Sequence, residues 1–168
     1  MQIYADQQLF VDALEGFASS GLRAGDAVII IATEPHRRAL AQRLRQRGFA
    51  LDQARADERY LALDAAESLG RFMLDGWPDE ARFNDWVGGL ITRAAGSGRR
   101  VRTFGEMVAL LWKHGQPAAA LELERLWDEP CRQAGLWLFC AYPRECFAGH
   151  PPEVLNQVCA HHARVFPD

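Results

Sequence analysis

Residues 21–32 read Gly-Leu-Arg-Ala-Gly-Asp-Ala-Val-Ile-Ile-Ile-Ala. Their second half is an unbroken apolar run, which follows Gly25 and ends shortly before Pro35. An apolar run of this length between turn signals is typical of a strand that is buried on both faces of a sheet.

Similar short segments recur along the chain, and amphipathic helices are predicted between them. The predicted strands are residues 2–5, 27–32, 59–63, 100–104 and 136–141. Predicted helices include residues 35–47, which end before Gly48, and a final helix that runs through Val154, Leu155, Val158 and His162. Residues 75–79 are predicted to be a loop. The alternation indicates an α/β fold of three layers, in which helices flank a mainly parallel sheet.

Composition limits the classes of protein to which this chain can belong. The 168 residues are 49% hydrophobic, which suits a single domain over residues 1–168. The formal net charge of -3 gives no basic field for direct nucleic-acid binding. The first residues lack the basic and apolar regions of a signal peptide, and no apolar run reaches the roughly 20 residues of a membrane span. We therefore expect a cytoplasmic location and no membrane partner.

Ligands of parallel sheets bind at the carboxyl ends of the strands, so the residues that follow the predicted strands are the candidate ligand-binding residues. These residues, together with one aromatic residue of the 75–79 loop, are Tyr4, Asp6, Glu34, Asp64, Trp77, Glu106 and Tyr142.

Several of these candidates have a structural alternative. Asp6 and Asp64 are also explained as helix N-caps, and Glu34 as a side chain that binds N-terminal amides. Glu106 is equally well read as a binding residue or as a cap. Trp77 is either a lid over an apolar ligand or a side chain packed against the neighbouring helix.

The sequence contains no recognisable metal, cofactor or catalytic motif. The cysteines at 131, 140, 146 and 159, with His161 and His162, do not have the spacing of structural zinc sites, and Cys140 lies inside a predicted strand. No G-x-x-x-x-G-K-[ST] phosphate loop occurs. We expect no cofactor, no metal and no catalytic residue in this domain.

The predicted helix 35–47 carries a cluster of arginines. A solvated outer face explains most of them, and a surface for phosphate or nucleic acid is the alternative. The members of the cluster are Arg37, Arg38, Arg43, Arg45 and Arg47.

Six motifs give the chain a resemblance to the MEDS domain, a sensory domain known from methanogens, methylotrophs and the dichloromethane-responsive regulator. These motifs are Gln2-Ile3-Tyr4 with Asp6, Gly21 to Asp26, Ala32-Thr33-Glu34-Pro35-His36, Tyr60 to Ala65, Phe104-Gly105-Glu106-Met107-Val108-Ala109-Leu110-Leu111-Trp112, and Cys140-Ala141-Tyr142-Pro143.

The resemblance implies a degenerate relative of the KaiC/RecA ATPases, with Gly105 and Glu106 where those enzymes carry a magnesium-binding aspartate. It implies a domain that senses a small hydrocarbon-derived organic ligand and relays to an output module, such as a histidine kinase or a transcription regulator. It leaves a homo-oligomer open.

Two alternatives to a sensor remain. One is a non-catalytic scaffold for protein interaction or oligomerisation, with no small ligand. The other, with the least support, is an enzyme that uses Glu34 and Glu106 as acid and base. A pocket near Tyr4, Glu34, Glu106 and Tyr142, covered in part by the loop of Trp77, would favour the sensor.

Overall fold

Eight strands and seven α-helices appear in the computed structural model, which describes residues 1–96, 98–133 and 135–149 together with residues 153, 158, 166 and 167. The strands are β1 Gln2–Tyr4, β2 Ala27–Ala32, β3 Tyr60–Asp64, β4 Met73–Leu74, β5 Trp77–Pro78, β6 Val101–Gly105, β7 Trp137–Pro143 and β8 Phe166–Pro167. The helices are α1 Gln7–Arg23, α2 Glu34–Gln46, α3 Leu51–Ala56, α4 Ala65–Phe72, α5 Glu80–Ala95, α6 Met107–Lys113 and α7 Pro117–Gln133, followed by a 3-10 helix at Arg144–Phe147.

Six of the strands form one sheet in the order β3-β2-β6-β7-β1-β8, and every neighbouring pair in it is parallel. The predicted three-layer α/β fold is confirmed, because the five predicted strands all lie in this sheet with ends shifted by two residues at most. The predicted final helix falls largely outside the described residues.

Strand β2 is buried along its whole length, as its unbroken apolar sequence predicts. Ala27, Ile29 and Ile31 pack on one face of the sheet in a core with α4, α5, α6 and α7. Val28 and Ile30 pack on the opposite face in a second core with α1, α2 and α3. Side chains of a strand alternate between the two faces, so this one strand contributes to both cores of the three-layer fold.

The prediction of a plain loop at residues 75–79 is wrong. Strands β4 and β5 form an antiparallel hairpin in which Met73 pairs with Pro78 and Leu74 with Trp77. Asp75 and Gly76 connect them with φ angles of 48° and 80°. A two-residue turn with both φ angles positive matches the right-handed twist of a hairpin, and Asp-Gly is among the sequences that favour it.

The amino ends of the strands are closed by a buried ion pair. Arg102 of β6 donates to Asp26 at 2.7 Å, and Asp26 is 4% exposed. A Cβ atom at Gly21 would lie 2.8 Å from the Cδ atom of Arg102 and 2.9 Å from a methyl group of Val28, so a larger residue there would force these buried side chains to shift. At this position the amino ends of β2 and β6 are therefore packed closely against α1.

A buried carboxyl group links α7 to the sheet. Glu124 is 2% exposed, and the hydroxyl of Tyr142 in β7 donates a hydrogen bond to it. Burial, with a smaller contribution from the charge of Asp128, raises the pKa of Glu124 to about 8. The folded protein therefore holds this group as a neutral acid over a pH range in which an exposed glutamate is ionised.

We expect Glu124→Gln to remove a pH-dependent part of the stability. Between the ordinary pKa of 4.5 and about 8, the folded state binds more protons at this position than the unfolded state. The wild-type free energy of unfolding should therefore fall as pH rises through this range, with up to about 1.4 kcal/mol per pH unit from this group. Urea unfolding between pH 5 and pH 8 measures the slope.

The matched control is Glu129→Gln, on the exposed side of the same helix, which should keep the wild-type slope. An unchanged slope in Glu124→Gln would show that the buried carboxyl does not hold its proton.

Candidate functional site

A cleft with a volume of about 920 Å³ opens at the carboxyl ends of β1, β2, β6 and β7. Its apolar lining residues, among those described, are Val11, Pro35, Ala39, Ala109, Leu110, Trp112, Pro143, Cys146 and Ala148. Its polar lining residues are Tyr4, Gln7, Thr33, His36, Glu106, Lys113 and Glu145. The cleft therefore combines apolar surfaces with polar side chains around Glu106 and with the charged side chains of Lys113 and Glu145.

The polar group is centred on Glu106, which follows β6 and is 7% exposed. Its carboxylate accepts a hydrogen bond from the backbone N–H of Thr33 at 2.8 Å, and the Thr33 hydroxyl donates to both oxygens at 3.1 and 3.2 Å. The Nδ1 atom of His36 lies 2.9 Å from each oxygen. Because the backbone N–H of Glu106 also donates to the carbonyl of Ile31 at 2.8 Å, this residue ties the end of β6 to the end of β2.

His36 lies between two hydrogen-bonding partners. Its Nδ1 faces the Glu106 carboxylate, and its Nε2 lies 2.9 Å from the Oε1 of Gln7 at the start of α1. A carboxylate can only accept, so Nδ1 carries a proton. The ring also meets Phe10 edge-on, with ring centroids 4.8 Å apart. These contacts fix one orientation of the imidazole on the cleft wall.

Tyr4, at the end of β1, is 3% exposed and stacks on Phe10 with a centroid distance of 4.5 Å. Burial raises the pKa of its phenol, and the negative charge of Glu106 raises it further. The phenol therefore stays protonated throughout the physiological range and is available to the cleft as a neutral hydroxyl.

Lys113, Glu145 and Cys146 form another part of the cleft lining. Burial raises the pKa of the Cys146 thiol to about 11; the charge of Glu145 also raises it and that of Lys113 lowers it. A thiol with this pKa is almost entirely protonated at neutral pH, so Cys146 contributes a small apolar surface to the cleft and very little thiolate nucleophile.

The structure brings two of the seven predicted ligand-binding residues, Tyr4 and Glu106, into the lining of this cleft. The cap alternative for Glu106 is wrong, because its side chain makes no cap hydrogen bond to α6 and turns back toward Thr33 and His36.

Three of the other carboxylates have structural partners. Asp6 caps α1 by accepting from the N–H groups of Gln8 and Leu9 at 2.6 and 3.3 Å. Asp64 caps α4 in the same way and also accepts from Arg37 at 2.7 Å, and its cap bonds hold its pKa below the ordinary value. Glu34 is an exposed residue that pairs with Arg38 at 3.5 Å. The N-cap alternatives for Asp6 and Asp64 are confirmed.

The two remaining aromatic candidates lie elsewhere. Tyr142 is buried in the core against Glu124, on the face of the sheet opposite Tyr4. Trp77 is 49% exposed on the β4–β5 hairpin, which packs against α7. Neither residue is among the described residues that line the cleft.

Thr33, which follows a predicted strand, and His36 were not among the candidate ligand-binding residues chosen from the sequence. They are three residues apart at the start of α2, so both lie on its first turn, next to the end of β6. Two polar residues three positions apart, directly after a buried strand, are the sequence pattern that could have indicated their place in the site. Gln7, Lys113 and Cys146 were missed because only the packing of α1, α6 and the 3-10 helix brings them to the cleft.

No group of three or more potential ligand side chains in the described part of the chain could hold a metal ion. Cys159, His161 and His162 lie outside it. Among the helices that are described, none is long and apolar enough to cross a membrane.

Comparison with known proteins identifies one family. The sequence model of MEDS, described as the methanogen/methylotroph, DcmR sensory domain, matches residues 1–163. No curated protein and no solved structure matches the chain.

We expect Glu106→Gln to destabilise the fold by about 1.5–3 kcal/mol, the range for hydrogen bonds to a charged group. The amide keeps one acceptor oxygen, but its NH₂ group would face donors that now meet a carboxylate. The free energy of urea unfolding is the measurement. Glu145→Gln, an exposed carboxylate on the same cleft, is the matched control and should stay within about 0.5 kcal/mol of wild type. Equal stability of the two variants would show that Glu106 does not hold the strand ends together.

Proposed function

The chain belongs to the MEDS family of sensory domains, and we propose that its cleft binds a small, hydrocarbon-derived organic molecule whose presence is relayed to an output module. The observation that carries the proposal is the composition of the cleft: apolar surfaces beside a group of polar side chains that their own hydrogen bonds hold in place around Glu106. Its volume of about 920 Å³ lies within the range of small-molecule sites.

In this proposal the polar side chains of the cleft orient the bound ligand. The Tyr4 phenol is a neutral hydroxyl, and His36 and Glu106 are held by their own hydrogen bonds. A ligand with an apolar body would fill the space beside Ala109, Leu110 and other apolar residues, and its polar head group would meet the hydroxyl and imidazole side of the cleft.

We propose that the helices lining the cleft pass the effect of ligand binding on to the output module. The cleft lining comes from α1, α2, α6 and the 3-10 helix, so a bound molecule would contact all four. Binding would favour the arrangement in which they close on the ligand, and a histidine kinase or transcription regulator would read that change. The output module comes from the family resemblance and the cytoplasmic setting from the expectation of the sequence analysis; both are part of the proposal.

We further propose that the domain is a KaiC/RecA relative without ATP chemistry. The mainly parallel sheet flanked by helices is compatible with that relationship. The amino terminus of α1, where a phosphate would meet free N–H groups, instead carries the Asp6 carboxylate, bonded to Gln8 and Leu9. With its thiol protonated, Cys146 also gives little support to an enzyme with a cysteine nucleophile.

Ligand binding is tested by thermal denaturation with a panel of short-chain alcohols, amines, carboxylic acids and haloalkanes. A compound present at 100 times its Kd should stabilise the wild type by about 2.7 kcal/mol. Ala39→Trp, which places an indole at a half-buried cleft position, should abolish the shift. Ala81→Trp, at an exposed position of α5, is the matched control and should preserve it. If no compound in the panel stabilises the wild type, the scaffold function replaces the sensor.

MgATP is expected to bind with no measurable affinity, because the chain lacks a phosphate loop and Asp6 opposes a phosphate at the first helix. Isothermal titration calorimetry of the full chain with MgATP is the measurement. Heat that indicates a micromolar Kd, which corresponds to about 8 kcal/mol of binding free energy, would contradict the proposal.

A further inference from the structure

Strand β3 lies at one edge of the sheet and pairs only with β2 among the described strands. The carbonyl of Arg59, just before it, accepts from the N–H of Val28 at 2.8 Å. In a parallel ladder, residues alternate in the direction of their backbone groups, so Leu61 and Leu63 face β2 while Tyr60 and Ala62 turn theirs outward. The outward side of β3 can therefore accept another strand.

Residues of β3 itself do little to block such pairing. Its sequence, Tyr60-Leu61-Ala62-Leu63-Asp64, has no proline or lysine and a single charge, at its end. Leu61, Ala62 and Leu63 are all partly exposed. Edge strands are commonly protected by lysine, proline or a bulge within the strand.

A basic groove borders this edge on the face that carries α2 and α3. It has a volume of about 370 Å³, and the side chains that line it beside Ala62 include Arg37, Arg38, Arg45 and Arg55. Arg37, Arg38 and Arg45 belong to the arginine cluster that was expected on a solvated face. Here they line a concave site next to the edge strand β3.

The carboxylates near this groove pair only weakly with three of its arginines. Arg38 lies 3.5 Å from the exposed Glu34, and Arg45 and Arg55 share the exposed Asp52 at 3.8 and 3.0 Å. Exposed ion pairs of this kind contribute little, so these three guanidinium groups remain able to bind another anion.

The hydroxyl of Tyr60, the first residue of β3, lies close to the same arginines. It is buried and has no hydrogen-bond partner in the part of the chain that the structure describes. Burial raises the pKa of this phenol, while the charges of Arg37, Arg45 and Arg55 oppose the shift, so the hydroxyl lies within reach of their field.

The opposite face of the same edge has a different character. A groove of about 410 Å³ there includes the apolar side chains of Leu63, Trp86 and Leu90. Its carboxylates are Asp64, Glu67 and Asp85, with Arg71 and Arg93 also present. An apolar side chain could contact Leu63, Trp86 and Leu90 here, and the three carboxylates outnumber the two arginines, so this groove lacks the basic excess of the other face.

We infer that β3 is a docking edge for an extended, acidic segment of a partner protein, which adds to the sheet as a further strand. Its acidic side chains would enter the arginine groove, and its alternate apolar side chains would lie beside Leu63 and Trp86. Main-chain pairing would supply affinity and the two grooves would supply specificity. This interaction surface is separate from the cleft and stands without the proposed ligand.

A second copy of this chain is the less suitable occupant. Antiparallel pairing of two β3 strands about a two-fold axis would keep the same face of both sheets on the same side. The two arginine grooves would then meet, and their like charges would repel. An acidic partner has the complementary charge.

The test uses the full chain and a fluorescent, capped heptapeptide of alternating Glu and Val, with binding followed by anisotropy. The expected result is saturable binding that weakens with salt. A Lys-Val peptide of the same length should not bind. Equal binding of both peptides, or of neither, would overturn the proposal.

Backbone methylation separates strand addition from simple charge attraction. In antiparallel addition the residue opposite Ala62 exchanges both hydrogen bonds with it and shares its face, so that residue is a Glu. Methylating the Glu nitrogens should then abolish binding, and methylating the Val nitrogens should not. In parallel addition the Val nitrogens face β3 instead, so methylating the Val nitrogens should abolish binding and methylating the Glu nitrogens should not. If the two methylated peptides bind equally well, or if neither binds, the peptide does not pair with β3 along one edge of its backbone. Strand addition is then wrong, and the arginine groove attracts carboxylates by charge alone.

Protein variants locate the site. Arg38→Ala combined with Arg45→Ala should weaken the Glu-Val peptide by about tenfold, because two charge-assisted contacts are lost. Arg132→Ala, an exposed arginine of α7 that lines neither groove, changes the net charge in the same direction and should leave binding within about twofold of wild type. Equal effects of the two variants would mean a non-specific electrostatic contact and would overturn the docking edge.

Discussion

The complete burial of β2 is the constraint on which the rest of the structure depends. With no polar side chain on either face, this strand must be covered on both sides, and the helices before and after it supply that cover. Its neighbours β3 and β6 run in the same direction, so the turns that follow these strands all emerge at one edge. At these carboxyl ends of the strands, the carboxylate of Glu106 after β6 reaches Thr33 and His36 at the start of α2.

The order of helices and strands was readable from the sequence because it depends on local apolar patterns. The run Ala27–Ala32 and its neighbours gave the sheet, and Asp6 and Asp64 were recognisable as caps from their positions. The hairpin at Asp75 and Gly76 was missed even though that dipeptide is a known turn signal, since strands of two residues leave almost no periodic pattern.

The site was only partly predictable, because it depends on which face of the sheet each side chain takes. Tyr4 and Tyr142 both lie at carboxyl ends of strands, yet they belong to different cores, and only Tyr4 reaches the cleft. The direction of the Glu106 side chain, back toward Thr33 and His36 instead of into its own helix, follows from contacts across 70 residues or more of sequence. No local pattern contains that information.

The cleft draws its walls from residues 4–11, 33–39, 106–113 and 143–148, segments spread over most of the chain. The cleft therefore forms only when strands far apart in sequence have paired in register, and distant contacts of this kind are slow to form because they must close long loops. A molecule that recognises this cleft would therefore ignore nascent or partly folded copies. Signalling through it would be confined to domains that have completed folding, because only these contain the cleft.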